Sequence, residues 1–204
     1  MKLYTPKQDF PYEDMGHNLT FPYSVFIGGT IDSGEAEDWQ KKVIENLNIP
    51  QLEHIIVFNP RINDWDYNIK ETVNDDKFKK QVTWEQDGLE YSKYIFMNIL
   101  DDSRSIISLS ELGQYANSGK LIVVAGKNYF KRGNVEVLSK RFNFPLFDKL
   151  ESGLNHLINT LLSDYLDDVY LIRKNLFFDD KKIKETSLRH IELFAEWIRK
   201  KQLK

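Results

Sequence analysis

Short apolar runs alternate along this chain with longer stretches of helical periodicity, and that alternation predicts the architecture. Tyr23-Ser-Val-Phe-Ile has the pattern of a buried strand that ends at Gly28-Gly29. Ala36, Trp39, Val43 and Leu47 then recur at the spacing of one helix face, which predicts an amphipathic helix over 35–47. Ile55-Ile-Val-Phe is a second strand, closed by Asn59-Pro60, since proline discourages continuation. The polar and aromatic segment 62–75, centred on Asp64-Trp65-Asp66, predicts a long loop, and loops of that length are often functional. A helix over 77–92 leads into a third strand, 94–99, and a further helix from 110 stops at Gly119. Leu121-Ile-Val-Val-Ala is a continuous branched run of the kind buried in parallel sheets. A short helix over 134–141 and a weak fifth strand at Phe144-Pro-Leu-Phe follow. From 149 onward the pattern is helical, over 149–163 and again over 180–202. Leu188, Ile191, Phe194, Ala195 and Ile198 share one face of the last helix, whose basic end suits a helix C-terminus.

Strands alternating with helices predict an α/β fold with three layers, a mostly parallel, five-stranded, doubly wound sheet of Rossmann or flavodoxin type, and a C-terminal helical extension. The expected divisions are a polar leader over 1–22, an α/β domain over 23–148, and an extension over 149–204 packed on that domain. No internal repeat or low-complexity tract interrupts this order.

At 204 residues the chain is large enough to bury most of the surface that its unfolded form exposes. Its 41% apolar and 29% charged content is that of an ordinary globular protein. A net charge of −3 argues against a polynucleotide partner, which needs many phosphate contacts, but leaves a single nucleoside or nucleotide open. The chain has no cysteine, hence no disulfide, thiolate metal site or cysteine nucleophile. His17, His54, His156 and His190 lack metal-ligand spacing, so no metal or cofactor is expected. No apolar run approaches the roughly 20 residues of a membrane span, and no signal peptide is evident at the amino terminus. A cytoplasmic location is the expectation.

The stretch Ser110-Glu-Leu-Gly-Gln-Tyr-Ala places Glu111 just past the third strand, at the start of the predicted helix. In open α/β sheets ligands bind outside the carboxyl ends of strands. A helix N-terminus there would favour an ionised carboxylate able to attack an anomeric carbon. Glu111 would equally suit the dipole of a first helical turn with no further role. Gly28-Gly29-Thr30 lets backbone approach a ligand or simply turns the chain. It is not the dinucleotide fingerprint, and the phosphate-loop and nucleophile-elbow patterns are lacking as well. Glu85 and Asp87 lie together in a predicted helix, on a catalytic or a merely solvated face. Asp64 and Trp65 could stack a base or cap a turn, and Lys120 could be a helix-end cation.

Taken together, Val25-Phe-Ile-Gly-Gly-Thr, Phe58-Asn-Pro-Arg, Trp84-Glu85-x-x-Gly-Leu, Ser105 with Glu111-Leu-Gly-x-Tyr-Ala-x-Ser-Gly-Lys120, and Arg132-Gly-Asn134-Val resemble the nucleoside 2-deoxyribosyltransferase family. The resemblance is to the branch with Asn-Pro-Arg and Trp-Glu signatures and covers roughly residues 23–140. It implies that Glu111 attacks the anomeric carbon of a 2-deoxyribosyl group. It implies equally that Glu85, or failing it Asp87, exchanges a proton with the base. For these roles Glu85 should have a pKa raised by burial while Glu111 stays ionised.

The same resemblance marks Gly28, Gly29, Thr30, Asn59, Arg61, Asp64, Trp65, Ser105 and Ser108 as candidate substrate contacts. Ser105 stands where transferases of free nucleosides carry an aspartate for the 5′-hydroxyl. The related nucleoside 5′-monophosphate N-glycosidases use a serine there, which favours a 5′-phosphorylated ligand, as does the donor-rich loop Ser103-Arg104-Ser105. Asn134 matches an asparagine that reaches the site from a neighbouring protomer, implying a homodimer or larger assembly. The chain departs from the family pattern at Lys93, where an aspartate is common, and at Phe26, where a tyrosine hydroxyl often orients the nucleophile. The implied activity is cleavage or exchange of the N-glycosidic bond of a (deoxy)nucleoside or its 5′-monophosphate, by transfer or by hydrolysis. A catalytically silent nucleotide-binding or sensor module is the alternative, and hydrolysis of a nucleotide-derived signal or a modified base is a third reading.

Overall fold

The uninterrupted apolar runs become the inner strands of one parallel sheet, because a strand without a polar face must be covered on both sides. The structure, a computed structural model, describes residues 1–15, 21–62, 66 and 68–177, with Pro22, Ser33 and 168–177 described by backbone alone. The elements in chain order are β1 (Lys2–Tyr4), β2 (Phe21–Gly29), α1 (Trp39–Leu47), β3 (Ile56–Phe58), α2 (Asp76–Tyr91) and β4 (Ser92–Ile99). They continue with α3 (Ile106–Tyr115), β5 (Leu121–Ala125), α4 (Arg132–Phe142), β6 (Leu146–Phe147) and α5 (Leu150–Phe177). Strand order across the sheet is β1-β3-β2-β4-β5-β6, with every pairing parallel. This is the open, doubly wound three-layer fold.

The sheet has six strands rather than the five expected. The additional one, β1, comes from the segment assigned to the leader. Three residues, with a proline two positions beyond, carry no periodicity of their own. β1 forms because β3 offers an open edge: Lys2 N donates to Ile55 O, and Asn59 N donates to Tyr4 O, both at 2.9 Å. Further along the same segment, Phe10 is buried and stacks on Phe58 at 5.1 Å between ring centroids, with Trp84 and Phe21 edge-on to it. Burying such a ring contributes roughly 1.5–3 kcal/mol, which fixes the amino-terminal segment against β3 and α2.

Helix boundaries follow from local chemistry. α1 starts at Trp39 instead of 35, with the Asp38 carboxylate accepting from Lys41 N at 3.0 Å. The preceding residues are held as a turn by Arg61, whose guanidinium donates to the carbonyl oxygens of Gly34, Ala36 and Glu37. Asp75 caps α2 by accepting from Lys77 N and Phe78 N. α5 runs past 163 to Phe177, since Asp164-Tyr-Leu-Asp-Asp contains no glycine or proline to stop it. The helix expected over 180–202 lies outside the described residues. The chain divides into two compact units, Met1–Ile158 and Asn159–Lys204, and the sheet and the cleft described below belong to the first.

One close packing contact links the core to the cleft. Phe26, 1% exposed, lies against Gly88 of α2, where an added Cβ would come within 2.5 Å of the ring. A ring buried between β2 and α2 has little room to retreat. Gly88→Ala is therefore expected to destabilise the protein by about 1–3 kcal/mol. Urea denaturation checks this, and an unchanged midpoint would contradict the packing.

Candidate active site

The strand order reverses between β2 and β4, and at such a point the chains leaving the sheet diverge and open a crevice. A cleft of 590 Å³ occupies it. Phe26, Gly28, Gly29 and Thr30 line it from the end of β2, Gln81, Glu85 and Gln86 from α2, and Ser105, Ser108, Glu111 and Gln114 from the α3 side. Gly29 is required here. Its φ is +131°, and an added Cβ would lie 2.1 Å from Asn98 O of the neighbouring strand.

A chain of hydroxyls then shapes the start of α3. Thr30 Oγ1 lies 2.5 Å from Ser105 Oγ and accepts from Leu100 N at 3.0 Å. Ser103 Oγ accepts from Ser105 N at 3.0 Å and donates to Asp32 Oδ1 at 3.1 Å. These bonds hold Ser105 in the left-handed region, at φ 47°, which costs of order 1–3 kcal/mol in a residue other than glycine. The turn lets α3 begin at Ile106, well before the expected start at 110. Glu111 is consequently the sixth residue of α3, and unpaired N–H groups at a helix N-terminus cannot be what favours its charge. Helical spacing aims it instead: Ser108, Glu111, Leu112 and Tyr115 form the buried face.

Glu111 is 8% exposed, and no hydrogen-bond donor among the described residues reaches its carboxylate. Burial, reinforced by the negative charge of Glu85, pushes its pKa up to about 8. Glu85 is pushed up to about 7, again chiefly by burial, while a 3.0 Å hydrogen bond from Gln81 Nε2 to its Oε1 acts in the opposite direction. The expectation that Glu85 is raised while Glu111 stays ionised is thus corrected. Both are raised, because burial desolvates both carboxyl groups. Two groups so coupled titrate as a pair, and near neutral pH the pair retains a proton.

The other candidates are dispersed. Arg61, 8% exposed, is held by the carbonyls before α1 and by Gln40 Oε1, and it is not among the cleft-lining residues. Asn59 Oδ1 accepts from Arg61 N in a turn, so the neighbouring Pro60 and Ile62 reach the cleft instead. Asp87 accepts a hydrogen bond from Tyr12 OH, away from the lining that contains Glu85. Asn134 is exposed on α4, outside the lining. Asp64 and Trp65 lie outside the described residues. Lys93 lies over the rings of Tyr23 and Tyr94, and Lys120 Nζ donates to Glu90 O.

Lining residues not anticipated from the sequence include Gln81, Gln86 and Gln114, and Phe26 and Arg104, already noted there, line the cleft as well. Helical spacing would have found two of them: Gln81 lies one turn before Glu85, and Gln114 three residues after Glu111. Among the described residues no group of three or more His, Cys, Asp or Glu is placed to hold a metal, and no helix is long and apolar enough to cross a membrane.

An open parallel α/β fold with two desolvated carboxyl groups at its switch point, Glu111 buried and Glu85 half-buried, defines a class of small-ligand proteins. The family model described as "Nucleoside 2-deoxyribosyltransferase like" matches residues 22–129, more than half of the chain, and includes β2 to β5 with both glutamates. The chain belongs to this family. A search of curated proteins finds no match.

The raised carboxyl groups have a consequence for stability. In the unfolded chain each titrates near 4.5, so between that pH and about 7 to 8 the folded state binds more protons. Stability must then fall as pH rises through this window. Glu111→Gln, which removes the buried charge, is expected to stabilise the protein at pH 8.5 by on the order of 1–3 kcal/mol and to have little effect at pH 4.5. Thermal melts at the two pH values check the difference.

Proposed function

We propose that this protein cleaves or exchanges the N-glycosidic bond of a (deoxy)nucleoside or its 5′-monophosphate, with Glu111 as nucleophile and Glu85 as acid/base. The observation that supports this reading most is the pair of desolvated, electrostatically coupled carboxyl groups in one cleft. The reaction needs one of them charged and the other protonated, and a proton-retaining pair supplies that state. Sugar hydroxyls donating to Glu111 would favour its ionised form and leave the proton on Glu85.

In the first half-reaction the C1′–N bond breaks as a Glu111 oxygen bonds to C1′. The bond's electron pair leaves on the base nitrogen, which takes the proton of Glu85. In the second half an incoming base nitrogen or a water oxygen attacks C1′, Glu85 accepts its proton, and Glu111 departs as a carboxylate. Two inversions give net retention. Transfer and hydrolysis share the first half and differ in which nucleophile resolves the intermediate. Asn134, exposed on α4, would serve the cleft of a second protomer in a homodimer or larger assembly.

A 5′-phosphorylated ligand is favoured by the amino end of α3, though not through Ser105. That hydroxyl is already engaged by Thr30 Oγ1 and, at 3.1 Å, by Ser103 Oγ. The first turn of α3 has no side-chain cap, however, and Arg104 lines the cleft beside it. Ser108 also lines the cleft, is 5% exposed, and has no hydrogen-bond partner among the described residues. Backbone N–H groups, a hydroxyl and a guanidinium are together a phosphate's complement.

Two experiments test this reading. Incubation with a panel of deoxynucleosides and their monophosphates, with and without a free acceptor base, should show base release. Glu111→Ala should reduce release by about 10³-fold or more with folding intact by circular dichroism. Release at the wild-type rate would remove Glu111 from the mechanism and leave a nucleotide-binding module. Thymidine 5′-monophosphate should be turned over with a kcat/KM about tenfold or more above that of thymidine. Equal efficiency would remove the case for a phosphate at α3.

A further inference from the structure

Gln81 sits one helical turn before Glu85 on α2, and both side chains line the cleft. Its Nε2 donates to Glu85 Oε1 at 3.0 Å, the one hydrogen bond that Glu85 or Glu111 receives on its carboxyl group from the described residues. Nothing comparable constrains Glu85 Oε2. We propose that Gln81 is a positioning residue that fixes which oxygen of Glu85 handles the proton: the amide occupies Oε1 and leaves Oε2 to face the ligand. This deepens the acid/base role proposed above and rests on that reading for its kinetic consequence.

The chemistry distinguishes the two oxygens. In the protonated carboxyl group the carbonyl-type oxygen is the better acceptor of an amide N–H, so the O–H belongs on the other oxygen. With Oε1 taken by Gln81, the proton resides on Oε2 and can pass to the base nitrogen as the C1′–N bond breaks. After that step Glu85 is a carboxylate that only accepts, and the same N–H stabilises the new charge in a desolvated site. When Oε2 recovers a proton from water or from the incoming base, the bond to Oε1 persists. The carboxyl group therefore need not rotate between the two half-reactions. A side chain held in one geometry through both is the kind of preorganisation that supports general acid/base catalysis.

The groups facing Glu85 from neighbouring elements are few. Glu111 of α3, whose own pKa the Glu85 charge raises, shares the cleft with it, and Glu71 before α2, Asp32 after β2 and Arg104 before α3 also line it. Of the lining side chains, Gln81 is the neutral donor that touches Glu85.

The test uses Gln81→Met, which keeps side-chain length and helix propensity while removing the donor, and Gln81→Glu, which places a competing carboxyl group there. Carboxyl-carbon NMR titration of Glu85 in the free protein is compared with kcat and KM for base release across pH. We expect the Glu85 midpoint to move upward in Gln81→Met and further upward in Gln81→Glu. The limb of the rate profile should move with it. In Gln81→Met, kcat should fall by about 10- to 100-fold with KM changed less than about twofold. An unmoved midpoint in both variants overturns the proposal, and so does a loss confined to KM. If the wild-type protein releases no base from any nucleoside, the proposed function fails, while the NMR comparison still decides the role of Gln81.

Discussion

The constraint on which the rest depends is the desolvation of two ionisable carboxyl groups in one cleft. A carboxylate taken from water loses solvation that only a cation or hydrogen-bond donors can replace. Glu111 receives no such donor from the described residues, and Glu85 receives one, from Gln81. The fold holds both in place by other means. α3 is fixed by the hydroxyl chain that runs from Thr30 through Ser105 and Ser103 to Asp32, and α2 by the packing of Gly88 on Phe26. The energy for an electrostatically unfavourable arrangement thus comes from apolar burial in the sheet, where Val25, Ile27, Ile95, Phe96, Met97 and Val123 are fully covered. Strain and unsatisfied charge of this kind are expected where a ligand completes the site.

The positions of the inner strands were legible because period and composition are local properties. Leu121–Ala125 forms the strand its branched run predicts, and β2, β3 and β4 enclose or closely match the expected segments. β1 was not legible, since its pairing depends on an edge supplied by β3, some fifty residues away in sequence. The start of α3 was missed for a related reason. Ser103 and Ser105 look like loop residues, yet their hydroxyls form the turn that launches the helix, and Ile106 and Ile107 begin it although both side chains are exposed. That shift relocates Glu111 from a helix end to the second turn and removes the dipole as the source of its charge.

The site was legible in part. Glu85 and Glu111 do line one cleft with Gly28, Gly29, Thr30, Ser105 and Ser108, because β2 ends at Gly28-Gly29, α3 follows β4, and the middle of α2 lines the same crevice. Arg61 shows what short motifs conceal. Its guanidinium has the chemistry of a ligand clamp, but three backbone carbonyls before α1 take its donors. Which function an arginine serves is decided by carbonyl groups that have no signature in sequence. Phe26 teaches the converse: a ring without a hydroxyl supports the cleft through packing against Gly88, so the absence of a polar atom is balanced by a close steric fit.

The central claim is that Glu111 forms a bond to C1′. A nucleoside with an electron-withdrawing 2′-fluoro substituent destabilises the oxocarbenium-like transition states, and with a good leaving base it allows a glycosyl-enzyme to accumulate. Intact-mass spectrometry followed by peptide mapping then measures the claim directly. The account predicts an adduct of one fluorinated pentosyl unit, located on Glu111 and lost in Glu111→Ala. An adduct on another residue, or release of base with no covalent species at any time point, would contradict it.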